Sequence, residues 1–299
     1  SRDRHIKIKE EGENDAVTVL DTDKITIYNP TTEAGAKFYG KNTRWCASSD
    51  SNNMFSHYNN DGPLYIIILK SNPDKYQLHF PSTQFMDRHD DTIDIRDLQI
   101  KINDDEFNNW LISKFKENIN IDTIEYAPKE LCDDDEFMKP SILNNPKLFE
   151  YASETLKHEF KQNDELMKQL ILKNTKLFDY ASETLKQNDE FMKQLIMINP
   201  SKFDYASETL KQDDEFIKQY IMISPYNLKY ASENIKEDFE FMNKLISSHE
   251  DRIEFIIMHG ISEKLKNNDE FMMPLVLKYP RLLYDYTSET LKQDDEFLK

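Results

Sequence analysis

Apolar residues recur at helical spacing along most of the chain, most plainly from Asp179 to Phe203, which reads DYASETLKQNDEFMKQLIMINPSKF. The stretch returns almost unchanged as DYASETLKQDDEFIKQYIMISPYNL from Asp204 to Leu228, and Tyr180, Tyr205 and Tyr230 keep a spacing of 25 residues. A fixed period of roughly 20–50 residues is the signature of a solenoid or helical array. In each unit Asn188 or Asp213 stands as an N-cap before an Asp-Glu pair, whose charges favour the positive end of a helix. Phe191, Leu195 and Ile198, with Met192 and Ile196 beside them, form one apolar stripe. Pro200 and Pro225 end or re-enter the helix, and a second, shorter helix is predicted to carry Phe203, Ala206 and Leu210. Two helices this short bury little by themselves, so stacked neighbours must supply the core.

The first hundred residues follow a different pattern. Residues 5–10 (HIKIKE) alternate as an edge strand does; Ala16 to Leu20 and Lys24 to Tyr28 read as two further strands joined through Asp21-Thr22-Asp23. Thr31-Thr32-Glu33 opens a short helix ending near Gly40, and a second helix contains Met54, Phe55 and Tyr58. After the turn Asn60-Asp61-Gly62-Pro63 come strands at Leu64 to Lys70, Lys75 to Phe80 and Gln84 to Met86. The expected architecture is an α+β N-terminal domain over residues 1–98, followed by an all-α helical-hairpin repeat solenoid over residues 99–299. The acidic segment Asp87 to Asp94 reads as the exit from the first domain. Intervals longer than 25 residues, such as Phe241 to Phe271, place insertions in loops of the array.

Composition narrows the function classes. The net charge of −18 opposes nucleic-acid backbones and anionic lipid surfaces, so neither is an expected partner. The longest apolar run, Leu64 to Leu69, is far too short to span a bilayer, and no signal peptide is visible. Two cysteines form no disulfide framework and suit a reducing compartment such as the cytoplasm. With 5 glycines, and without a phosphate loop, a Gly-x-Ser-x-Gly elbow or a His-Glu-x-x-His pair, no cofactor is expected. The chain starts at Ser1 and stops just as a further repeat begins at Asp294-Asp295-Glu296-Phe297, which suggests a piece of a longer repeat protein.

From Tyr126-Ala127-Pro128 onward, and clearly at Tyr151-Ala152-Ser153-Glu154-Thr155-Leu156-Lys157, the repeats resemble short helical repeats of unknown function abundant in giant DNA viruses. The resemblance implies an α-hairpin array, a viral origin and a place in the host cytoplasm, and it names no activity. Gly260-Ile261-Ser262 replaces Tyr-Ala-Ser, so that unit is expected to pack differently. The N-terminal part resembles an uncharacterised domain of phages and large viruses. The matching pieces are Lys41-Asn42-Thr43-Arg44-Trp45-Cys46, Met54-Phe55, Gly62-Pro63-Leu64-Tyr65, Lys75-Tyr76-Gln77-Leu78-His79-Phe80 and Gln84-Phe85-Met86-Asp87.

One constellation there has the elements of a catalytic site. A thiol at Cys46, ahead of a helix, would feel the positive end of the dipole and favour its thiolate. His79 follows on a strand as a general base, and Asp87, or else Gln84, lies across a hairpin as its orienter, the register of the hairpin deciding whether His79 and Asp87 share a face. Trp45 and Asn42 flank the thiol as candidate substrate-binding residues. The order of elements resembles papain-like and transglutaminase-like thiol enzymes without their local signatures, and by analogy the substrate is an amide or isopeptide bond in a protein. The leading reading is a viral thiol-dependent acyl-transfer enzyme, with the array as a platform for substrate or partner. The alternative is a non-enzymatic interaction protein that binds a host factor. The plainer reading of each residue stands beside these: a Trp-Cys pair packs as a small hydrophobe beside an aromatic anchor, and a strand histidine is held by hydrogen bonds. Asp87, His89, Asp90, Asp91 and Asp94 lack metal-ligand spacing and read as a solvated linker, so no metal is expected. His57 lies about three helical turns from Cys46, and Cys132 takes a slot that lysine fills elsewhere, which predicts exposure. The acidic helix starts cap their own helices, and when stacked they also make a row that would steer a basic partner.

Overall fold

The computed structural model describes residues 12–280 and 284–293. The strand expected at residues 5–10 and the last helix start, from Asp294, lie outside them. The chain divides into two compact units, Ser1–Glu159 and Phe160–Lys299.

In the first unit five strands form one antiparallel sheet in the order β1-β2-β3-β4-β5. They are β1 (Ala16–Asp21), β2 (Ile25–Pro30), β3 (Tyr65–Leu69), β4 (Lys75–His79) and β5 (Gln84–Asp87). Between β2 and β3 come helix α1 (Glu33–Tyr39), a 3-10 turn at Cys46–Ser48 and helix α2 (Phe55–Asp61). Thr32 caps α1 by accepting from the Gly35 amide, as its place before Glu33 predicts. Helices α3 (Ile95–Ile102) and α4 (Asp105–Glu117) follow the sheet, capped by Asp94 and Asp104.

Alternation along β4 sorts its side chains between two faces. Tyr76, Leu78 and then Phe80 face α3 and α4, where Phe80 meets Phe115 and Trp110 edge-on and Tyr65 meets Trp110 at 5.1 Å between ring centroids. Lys75, Gln77 and His79 face the layer of α1, the 3-10 turn and α2. Ala36, Ala47, Phe55, Tyr58 and Leu64 form the apolar core on that side, with Cys46 packed against it. The acidic segment after β5 turns back along the strand rather than running on as a solvated linker. The Ile93 amide donates to the Phe85 carbonyl, the Asp87 amide donates to the Asp91 carbonyl, and the Asp87 carboxylate accepts from the amides of His89 and Asp91.

The repeats are a run of helices, and the repeats from Asp189 and Asp214 each have three parts, whereas the repeat from Phe239 adds a seven-residue helix, Ile253–His259, after its 3-10 turn. A ten-residue helix, for example Asp189–Ile198, is followed by a 3-10 helix, Pro200–Tyr205, and a one-turn helix, Glu208–Lys211. The second helix expected from the sequence is thus broken in two. Pro200 sits at the first position of the 3-10 helix, where a missing amide costs nothing, and Ala206-Ser207 are extended. Phe191, Met192, Leu195 and Ile196 are buried, whereas Ile198 is 56% exposed and drops out of the expected stripe.

The acidic helix starts divide their labour. Asp213 caps its helix at the Phe216 amide and pairs with Lys193 of the preceding long helix at 2.7 Å. The next residue, Asp214, accepts from the Ser232 hydroxyl, which also takes the Ile235 amide and so caps the following one-turn helix. The same Ser-to-Asp bond recurs as Ser153 to Asp135 in the first unit, and as Ser182 to Asp164 and Ser207 to Asp189 in the second. One repeat departs from the pattern. Phe239 stands where the others have this aspartate, and its ring packs on Phe271. There Ser262 caps only its own helix, while its amide bonds the Lys236 carbonyl. A Cβ at Gly260 would strike the Leu228 side chain, so the tyrosine of other repeats has no room in that slot. This is the unit in which the sequence predicts different packing.

Candidate functional site

Cys46 lies at the start of the three-residue 3-10 turn, not at the start of α2, which begins nine residues later at Phe55. A single such turn carries little dipole, so the electrostatic activation expected from the sequence has no helix behind it. Trp45 beside it is 1% exposed, and its indole N–H donates to the Asp87 carbonyl, which ties this loop to β5. Asn42 is exposed with φ of 66°, a left-handed conformation that asparagine tolerates well in turns. Trp45 therefore anchors the loop and Asn42 shapes it.

The register of the β4–β5 hairpin settles what faces His79. The Thr83 amide bonds the Phe80 carbonyl around Pro81-Ser82, and Thr83 then takes a left-handed φ of 54°. This four-residue connection sets Gln84 opposite His79 and Asp87 opposite Tyr76. Asp87 is thereby placed on the other face of the sheet from His79, where alternation separates the two.

His79 is fully buried, and both of its ring nitrogens are engaged. Nε2 stands 3.1 Å from the Tyr58 carbonyl and Nδ1 stands 2.6 Å from the Ser82 hydroxyl. A carbonyl can only accept, so Nε2 carries the proton and Nδ1 accepts from Ser82. Burial lowers the pKa of the ring, against which the Tyr58 carbonyl works in the other direction. A neutral histidine results, stapling the hairpin turn to α2.

Tyr58 stands beside Cys46, with its hydroxyl 3.5 Å from the sulfur, and that hydroxyl donates to Gln84 Oε1 at 2.7 Å. Since the only phenol proton goes to Gln84, the remaining contact is the thiol donating to the Tyr58 oxygen. Burial, and next the bond to Cys46, raise the Tyr58 pKa far above the ordinary phenol value, so the phenol stays protonated. The chain of bonds runs from thiol to phenol to amide. Cys46, Tyr58 and Gln84 are thus brought together; His79 joins them only through the Tyr58 backbone, and Asp87 does not join them. Tyr58 is the member that sequence reading missed as a polar partner, because its helical spacing marks it as core. Cys132, expected to be exposed, is half-buried at the end of a one-turn helix, and burial raises its pKa.

Among the described residues no group of three or more histidine, cysteine or acidic side chains is placed to hold a metal ion. No described helix is long and apolar enough to cross a membrane. No curated protein and no solved structure matches the chain. Residues 115–157, 163–211 and 213–259 do match the family model described as a domain of unknown function, DUF4116, so the helical repeats are similar to an uncharacterised repeat family.

Proposed function

We propose that the chain is a non-enzymatic interaction protein whose repeats dock a basic, amphipathic segment of a partner protein, a host protein if the chain is viral as its repeats suggest. The observation that carries this reading is a row of uncovered apolar side chains on successive repeats. Ile198 and Ile223 close equivalent long helices at 56% and 40% exposure, with Met197, Tyr205 and Tyr226 also exposed in the same two repeats. Lys173 and Ser248 hold that slot in the flanking repeats, so packing alone does not demand an apolar residue there. Single exposed hydrophobic residues are ordinary; recurrence at one slot marks a surface kept for contact. Exposed Glu183, Glu208 and Glu233 in these repeats are each paired with a lysine of their own helix, and it is the net charge of −18 that favours a cationic partner. The engaged His79 supports the same side, since neither of its nitrogens is free to take a proton from Cys46.

The test is fluorescence anisotropy of the whole chain with a labelled leucine-lysine amphipathic peptide at physiological salt. Saturable binding is expected, weakened roughly tenfold by the double replacement Ile198→Ser/Ile223→Ser and unchanged by Cys46→Ala. Absence of binding, or a double variant that binds as well as the parent, sinks the reading. Cleavage of an isopeptide-linked substrate that disappears with Cys46→Ala would restore the thiol-enzyme reading.

A further inference from the structure

The exposed apolar residues of the long helices gather at one end, and the spacing of those helices limits what can lie across them. In Asp189–Ile198 the residues Phe191, Met192, Leu195 and Ile196 are buried, which leaves Glu190, Gln194 and Met197 on the outward face. Asp214–Ile223 repeats the arrangement: Phe216, Ile217, Tyr220 and Ile221 are buried, and Glu215, Gln219 and Met222 are turned away from them. Residues seven apart on a helix, as Glu190 and Met197 are, fall within roughly 20° of one line and stand roughly 10 Å apart along it. Each outward face is therefore acidic where its helix begins and apolar where it ends.

Neighbouring long helices are held in the same relation at each step. Lys193 bonds Asp213 and Lys218 bonds Asp238, both at 2.7 Å, while the Ser207 and Ser232 hydroxyls bond Asp189 and Asp214. Equivalent side chains thus form two rows across the repeats. One is the apolar row at the helix ends, with Met197 and Ile198 at 40% and 56% exposure and Ile223 at 40%. The other is a row of exposed carboxylates at the helix starts, where Glu165, Glu190 and Glu240 make no ion pair among the described residues.

Packed helices stand roughly 8–10 Å apart, so a segment lying across them must present one apolar side chain at about that interval. An α-helix rises roughly 1.5 Å per residue and returns to the same face at every seventh residue, after roughly 10 Å. An extended strand covers the same interval in about three residues, and an odd step turns the side chain to the opposite face. Only the helix keeps its apolar side on the row.

Resting on the docking reading above, we infer that the partner segment binds as an α-helix laid across the long helices, with an apolar residue at every seventh position over Met197, Ile198 and Ile223. Lysines line the flank of that segment toward Glu165 and Glu190, whose uncompensated charges select them. The width of a helix with its side chains, roughly 10–12 Å, matches the distance between the two rows.

The test uses two labelled peptides of identical leucine and lysine content, one with leucines at helical spacing and one with strict leucine-lysine alternation. Anisotropy with the whole chain should show the first binding at least roughly tenfold tighter, and far-ultraviolet circular dichroism should show it gaining helix on binding. Glu165→Gln/Glu190→Gln should weaken the helical peptide roughly threefold and lessen the dependence of its affinity on salt. A bound peptide that gains no helix, or one that binds the glutamate variant at full strength, overturns the inference. Equal binding of the two peptides, lost for both in Ile198→Ser/Ile223→Ser, also overturns it and leaves the docking reading standing. Absence of binding by either peptide removes both.

Discussion

The sheet of the first unit and the repeats of the second use their polar side chains in opposite ways. In the repeats the same bonds recur: serine to aspartate across 18 residues, lysine to the next N-cap aspartate across 20, and a side-chain cap at the head of each ten-residue helix. Each is one of several equivalent staples, and the Phe239 repeat does without the serine bond by packing an aromatic ring instead. In the sheet each polar contact occurs once and joins distant pieces of chain. His79 reaches Tyr58, Trp45 reaches Asp87 and Tyr58 reaches Gln84, across 21, 42 and 26 residues. Redundancy makes a repeat tolerant of change at any one staple; the sheet has no second copy of its own.

That contrast breaks most readily at His79. Replacement by Ala leaves the Tyr58 carbonyl and the Ser82 hydroxyl buried without partners and opens a cavity, which should destabilise the first unit by about 3 kcal/mol in urea unfolding. The ring also sets a pH dependence. Its folded pKa lies below the ordinary 6.5, so the unfolded state binds the proton more readily. Stability should be fully present above about pH 6.5 and should fall as the pH drops toward the folded value. His79→Gln should flatten that slope, and an unchanged slope would mean that another group sets it.

A finer probe compares two capping serines, one with an aspartate partner and one without. Ser207→Ala removes both a cap and the bond to Asp189, and should cost about 1–2 kcal/mol. Ser262→Ala removes the cap alone and should cost no more than about 1 kcal/mol. Equal losses in the two variants would show that the serine-to-aspartate bond adds nothing to the stacking of repeats. The smallest effect is expected from Lys193→Met, which unpairs Asp213 on a solvent-exposed surface. Its cost should stay below about 1 kcal/mol and shrink further in added salt.

Legibility followed the same division. The repeat period, the caps at Asn188 and Asp213, and even the odd unit at Gly260 could be read because the bonds they make lie within one or two turns of the pattern. The strands of the sheet could be read from alternation, and α1 from Thr32 and Gly40 at its ends. The candidate site could not. Cys46 looked poised at a helix start because no local rule separates a 3-10 turn of three residues from the first turn of a longer helix. His79 and Asp87 looked like partners because hairpin register depends on a turn whose left-handed residue is a threonine, a type that seldom announces such a conformation.

By itself the sequence determined a helical array behind an α+β sheet, since periods of 3.6 and 2 and the residues that end them are properties of neighbouring positions. Tertiary structure alone decided that His79 is a neutral staple, that Tyr58 takes the contact with Cys46, and that the Lys75 ammonium ends on the carbonyls of Tyr39 and Lys41. Those outcomes depend on which groups far apart in the chain arrive at the same point and how much water they exclude, and no local pattern of residues encodes either.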